Sequence, residues 1–506
     1  MSKHESRALP FLPKWFATNT ALAGLFALLW LLLRSGTKPS RLAYPCQQAA
    51  LGTASLAFGA PLVMALIAAR RLAGRFLGSR RALATAAVGL FAAAGLWGFL
   101  SLGGASGRLG AAPLRYLPPG GYRAAVYHVT ECPQDPVGDR FVGLDNLLEL
   151  MGRNGLKLYR SSTVSRLSGP DGIVASNDVV VVKINYQWTQ CGGTNVDLLR
   201  GLVRALVDHP DGFSGEIVIG ENTQFVSANG FDRASDNNAQ DSSLSPHDVA
   251  VSFQGQGYLV DHSDWSLIRR HQVDEQSSCD AGRGYVVLPP GPAGRVSYPK
   301  FRTEYGTCIS LRDGVWDSEH GSWDHSRLKL INLPVLKPHG MVYAVTACVK
   351  NYMGVVTNEL NTGSHTSVRQ GLMGAVMAEI GTPDLNILDC IWINGHPGAG
   401  PDASFASATR TDQLVASTDP IAADIWATTN ILIPAFLANG HTPPWPYPDA
   451  TPDDPNSVFR IYLDRSMEQL LAGGYQVTND IDSIDVYSWD GISGPAPRRV
   501  TRRVMP

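Results

Sequence analysis

Polar residues able to do chemistry fall just behind short apolar runs. Lys183 and Asn185 close a run of valines, and Glu221 and Asn222 follow a second run. A third run, 328–333, leads into Pro-Val-Leu-Lys-Pro-His, which supplies Lys337 and His339. Lys350 with Asn351, and then His365, come next. A fourth run, 385–393, leads into a loop that holds Gly398 and Gly400, and Asp419 precedes a further apolar segment. Lysine offers a point charge for an anion, and histidine offers a metal ligand or a general acid or base. Three glycines after a strand can bring backbone N–H groups close to an anion, although a plain tight turn uses the same residues. The set suits a small anionic ligand or a metal ion whose identity the sequence does not fix. We assign His339, Lys350 and His365 to catalysis. Lys183, Asn185, Glu221, Lys337, Asn351, Gly398, Gly400 and Asp419 are assigned to ligand binding. There is no P-loop, H-E-x-x-H or G-x-S-x-G motif. His320, Asp324 and His325 are either a further metal cluster or, more simply, a solvated loop.

These residues matter together only if one scaffold gathers them. Within residues 178–184 the four valines 179–182 form a short, wholly apolar run, as a strand buried on both faces requires. Thr194 or Asn195 can cap a helix whose stripe is Val196, Leu199, Leu202, Val203, Leu206 and Val207. Residues 216–220 are another strand. A strand–helix–strand order of this kind implies a parallel sheet, and ligands collect at the carboxyl ends of such strands. Residues 123–129, 328–333 and 385–393 are predicted strands, and 141–153, 367–380, 420–432 and 457–472 predicted helices. The expected fold is α/β, a mostly parallel sheet with flanking helices. A long, irregular, partly β insertion occupies about 221–325.

Composition divides the chain. The net charge of −2 is a cancellation: residues 1–110 hold twelve Lys/Arg against Glu5 alone, +11, and the remainder sums to −13. Three uncharged apolar runs, 15–33, 49–69 and 83–102, are each about long enough to cross a bilayer as a helix. Basic residues cluster before the first and between the second and third, so the N-terminus is expected inside. The sequence therefore predicts an integral membrane protein: an anchor at 1–104, a linker at 105–121, and a domain at 122–506 on the extracytoplasmic side of the lipid bilayer. An acidic domain argues against nucleic acid as a partner. Seven cysteines without a C-x-x-C pair exclude an in-chain iron–sulfur motif. Outside the cytoplasm disulfides are permitted, and Cys279 with Cys308 is the pair expected.

The ordered motifs carry a resemblance. Val179–Asn185 followed by Thr194 resembles the opening of the family labelled domain of unknown function 362. Ile331-Asn-Leu-Pro-Val-Leu-Lys-Pro-His, Cys348-Val-Lys-Asn-Tyr-Met-Gly, Ile387-Leu-Asp-Cys with Gly400, and Ala416-Ser-Thr-Asp-Pro-Ile-Ala-Ala-Asp resemble its later segments. The match runs over about 178–430 and places Lys183, Asn185, Lys337, His339, Lys350, Asn351, Asp389, Gly400, Asp419 and Asp424 on family motifs. Ile184 stands where the family usually has proline, and the ferredoxin-like cysteine cluster of many members is missing. The family implies a fold more than a chemistry. Two functions fit. One is a membrane-anchored enzyme, an oxidoreductase served by a redox or membrane protein partner, or an isomerase that shuttles a proton or hydride. The alternative is a non-catalytic binding or assembly module held at the membrane.

Overall fold

The computed structural model describes residues 121–490, apart from 133–137, 189, 225–229, 233–242, 276–277, 280–281, 341–342 and 400–403, together with the strand at 498–500. The three expected membrane spans, nearly all of the linker and Gly400 lie outside the described residues. The chain divides into two compact units, Met1–Ala112 and Pro113–Pro506, and the described residues belong to the second.

Among the described residues, nine strands form its main sheet. They are β1 (Ala124–Thr130), β2 (Val179–Ile184), β3 (Glu216–Glu221), β4 (Leu259–Asp264), β5 (Leu328–Leu333), β6 (Leu385–Ile393), β7 (Thr409–Ser417), β8 (Ile484–Asp490) and β9 (Arg498–Val500). Their spatial order is β9-β8-β1-β7-β6-β5-β2-β3-β4. Seven run parallel to one another, and β7 and β9 run the other way. The mostly parallel α/β sheet expected from sequence is therefore the one formed.

The valine run of β2 shows why this sheet needs two covers. Val180, Val182 and Ile184 belong to one apolar layer, and Val179 and Val181 to the opposite one. Helices α1 (Val142–Arg153), α2 (Val196–Val207) and α3 (Pro246–Gln254) bury their stripes in the first layer. Helices α4 (Cys348–Asn351), α5 (Leu372–Ile380), α6 (Pro420–Ala427) and α7 (Val458–Ala472) fill the second. Of the two expected caps for α2, Asn195 serves: its side chain accepts from the Leu198 N–H at 3.1 Å.

Sequence and structure part in three places. The segment 221–325 is more regular than expected. Its α3 and β4 complete a second β–α–β unit on β3, and β4 forms the sheet edge, where a strand tolerates the polar Asp261, His262 and Ser263. Residues 284–324 then form a five-stranded antiparallel sheet whose Tyr285, Tyr298, Phe301 and Ile309 join the second layer. The helix expected over 367–380 is broken at Gly371, whose φ of +91° is left-handed and whose Cβ would lie 2.5 Å from the Arg465 carbonyl oxygen. The helix expected over 420–432 runs on to Ala438 through a π turn at Thr428–Leu432. Pro434 has no N–H to return to Asn430, which opens the ladder there. By length and composition Pro420–Ala438 could cross a membrane, yet 72% of its apolar window is buried within the domain.

Candidate functional site

Register places a row of polar side chains across one face of the sheet. Asn332 on β5 stands opposite Lys183 on β2 and Asn386 on β6, and Asn386 stands opposite Ser417 on β7. All four are fully buried. A buried polar group without a partner costs about 1–3 kcal/mol, so the row must be satisfied internally. Asn332 donates to the Asn386 amide oxygen at 2.9 Å and to the Cys348 carbonyl at 3.0 Å. Asn386 donates to the Ser417 carbonyl at 3.1 Å. Asn351 donates to the Asn332 amide oxygen at 2.8 Å, and Asn185 donates to Asn351 at 2.9 Å. Lys337 ends the chain, donating to the Asn185 amide oxygen at 3.0 Å and to the Gly192 carbonyl.

Lys183 and Glu221 form a second buried group at the same strand ends. They make an ion pair with side-chain exposures of 0% and 3%, and Lys183 also donates to the Ile184 carbonyl at 2.6 Å. Burial pushes the Glu221 carboxyl up to about 7 against the pull of Lys183, and burial lowers Lys183 against the pull of Glu221. Gly354 explains part of this packing. A Cβ there would lie 2.4 Å from both Glu221 carboxylate oxygens, so glycine admits the carboxylate against the backbone.

A third group lies on the ribbon and the helix beside these two. A short ribbon pairs Lys337–His339 with Ala344–Thr346, and it carries His339 next to Thr346, Nδ1 to Oγ1 at 2.8 Å. Tyr343 lies edge-on to His339 with ring centroids 5.0 Å apart and 5.9 Å from the His365 ring. Lys350 is buried with its ammonium 4.6 Å from the Tyr343 ring centroid, and no carboxylate ion-pairs with it among the described residues. Burial, then the charge of Lys183, lowers Lys350 to about 7. Burial first and then Lys350 lower His365 to about 3, and burial followed by Lys350 and Lys337 pushes His339 well below its usual value. His365 is oriented by Asn358, Nδ1 to Oδ1 at 3.0 Å. The site is thus a buried cluster of lysines with two neutral imidazoles and an aromatic ring beside them.

Helix α4 holds Lys350 and Asn351 in place, and its start is fixed from α6. The Asp424 carboxylate accepts the Cys348 N–H at 2.7 Å and the Val349 N–H at 3.1 Å.

Residues 328–429 match the model of a family described as Domain of unknown function (DUF362). The chain resembles that family over this stretch. No curated protein and no solved structure matches the chain. The DUF362 stretch carries β5, the ribbon, α4, β6, β7 and α6, and with them Lys337, His339, Lys350, Asn351 and His365. Lys183, Asn185 and Glu221 lie before it, on strands that pair with it through β5.

The fold gathers most of the assigned residues but sets Asp419 apart. Because β7 runs antiparallel, its carboxyl end points away from the ends of β2, β3 and β5. Asp419 caps α6 instead, accepting from Ile421 at 2.9 Å, Ala422 at 3.0 Å and Thr478 at 2.9 Å. The DUF362 residue Asp389 is also structural, accepting from the Asn195 N–H at the start of α2 at 3.1 Å. Gly398, with φ of +72°, belongs to a turn that packs on the ribbon. Its carbonyl oxygen would lie 3.1 Å from a Cβ at Gly340, so a carbonyl rather than an N–H faces that backbone. Cys279 and Cys308 come to bonding distance with Cα atoms 5.7 Å apart, far from this site in sequence. Sequence reasoning missed Tyr343, Thr346, Asn332 and Asn386. The two asparagines sit inside otherwise apolar strands, and that misplaced polarity was the available signal.

Proposed function

We propose that this protein is a membrane-anchored enzyme whose α/β unit takes a small anionic ligand at the carboxyl ends of β2, β3 and β5. The observation that carries this is Lys350: a buried amine against an aromatic ring that ion-pairs with no carboxylate among the described residues, the nearby Glu221 being already paired with Lys183. With Glu221 shared between Lys183 and Lys350, the cations outnumber the carboxylate, which favours an anion from outside. Lysine lowered to about 7 is divided between its two protonation states near neutrality, so it can hold a carboxylate or phosphate as ammonium and move a proton as amine. His339 and His365 stay neutral beside it. Lys337, fixed by Asn185, adds positive potential. The three apolar runs of the first unit support anchoring, and the basic bias around them supports an extracytoplasmic position for the domain.

The test is calorimetric titration of the full-length protein in detergent with oxalate, pyruvate and inorganic phosphate. Saturable binding of at least one of them is expected, weakened tenfold or more in Lys350→Met with the unfolding midpoint retained. Binding that is absent for all three, or equal in Lys350→Met, overturns the proposal.

A further inference from the structure

Away from the Lys350 pocket, three elements bring metal-ligating side chains together. Asp232 lies in the turn after β3, His247 is the second residue of α3, and His262 is on β4. One donor atom from each lies within 4.8 Å of the other two. We propose that Asp232, His247 and His262 bind a divalent transition-metal ion of the zinc class.

The distances fit such an ion. His247 Nδ1 and His262 Nε2 are 3.2 Å apart. Two ligands about 2.0–2.1 Å from a tetrahedral zinc stand about 3.3–3.4 Å from each other, so an ion fits between these nitrogens with little movement. Asp232 Oδ1 stands 3.8 Å from the same His247 nitrogen, close enough to complete a third corner. Two imidazoles and a carboxylate favour zinc, cobalt or nickel over the hard, oxygen-seeking calcium and magnesium.

The surroundings point the same way. His262 Nδ1 is buried and makes no hydrogen bond, and it lies 3.9 Å from Asp261 Oδ1. A metal on Nε2 would leave the ring proton on Nδ1, facing that carboxylate, which is how metal-bound histidines are commonly oriented. Phe231 packs edge-on against the His262 ring at 5.9 Å, and in turn stacks on Tyr186 at 6.3 Å. Side-chain exposures of 48% for Asp232, 41% for His247 and 30% for His262 leave a path for an ion to enter. His320, Asp324 and His325, which the sequence reads more simply as a solvated loop, are not gathered in this way among the described residues.

A simple His–His hydrogen bond is the competing account, and His396 with His441 offers an internal comparison. Those rings meet at 2.9 Å, with no third ligand gathered around them among the described residues. The full-length protein, without a polyhistidine tag, is stripped with chelator and titrated with Co2+ alone. One Co2+ per chain is expected, with visible bands of tetrahedral coordination and no thiolate charge transfer. His247→Ala and His262→Ala should each weaken binding at least tenfold, Asp232→Asn less, and His396→Ala not at all. His247 is the more exposed imidazole, so its variant decides if His262→Ala fails to fold. Unchanged binding in His247→Ala, loss confined to His396→Ala, or no stoichiometric Co2+ overturns the proposal.

Discussion

Lys350 makes the pocket sensitive to pH. Its ammonium, lowered by burial and by Lys183 to about 7, is charged below that value and neutral above it. Only the charged form attracts an anion, so affinity should be level below pH 7 and fall about tenfold per pH unit above it, one proton being linked to each anion bound. His365, lowered to about 3, and His339, pushed well below its usual value, do not change charge in that window. No histidine titrates there, but the Glu221 carboxyl, pushed up to about 7, does, so comparison with Lys350→Met is what assigns the profile to Lys350. Calorimetric affinities measured between pH 6 and 9 should show this fall in the wild-type protein and a flat line in Lys350→Met. A wild-type profile that breaks near 6.5 would assign the titration to an imidazole.

At the scale of elements, the pocket is held by buried polar bonds that join strands to helices. Asn332 is the hub, bonded to Asn386 on β6, to Asn351 on α4 and to the Cys348 carbonyl. Asn332→Leu has similar volume but leaves the Asn351 amide N–H group and the Asn386 amide oxygen without partners. A loss of about 1–3 kcal/mol per orphaned group is expected. Asp424→Ala should cost a similar amount, because it uncaps two N–H groups of α4, and should also weaken anion binding by displacing Lys350. Asp424→Asn keeps an acceptor and should lose less. Urea unfolding of the three variants measures this. A variant as stable as the wild type would show that its bond is replaceable by solvent.

The whole molecule poses a question of sidedness. The charge split of +11 against −13 and the three apolar runs favour an anchor with the domain outside. The domain also brings Cys279 and Cys308 to bonding distance across a 29-residue separation, a pairing that an oxidising compartment would preserve. In a Cys46→Ser background, which removes the cysteine between the first two apolar runs, a thiol reagent that cannot cross membranes should label Cys279 or Cys308 in intact cells after reduction. Labelling only after lysis would place the domain on the cytoplasmic side.

What local pattern could encode was legible in the sequence. The valine run of β2, the stripe of α2, the apolar β6 and the Asn195 cap each announce themselves within a dozen residues. Burial on two faces, helical periodicity and a side-chain cap are local requirements. Lysines and histidines behind apolar runs were readable for the same reason, since parallel strands deliver their ends to one edge. What depends on strand direction or on distant partners was decided only by tertiary structure. Asp419 became a helix cap because β7 turned antiparallel. β4 and β8 were hidden because edge and half-exposed strands carry polar residues at positions that an apolar pattern would fill. Tyr343 joined Lys350, and Asp232 met His247 and His262, through packing between separate elements. No spacing along the chain records such meetings, because the distance that matters to a charge or a metal ion is measured across the fold.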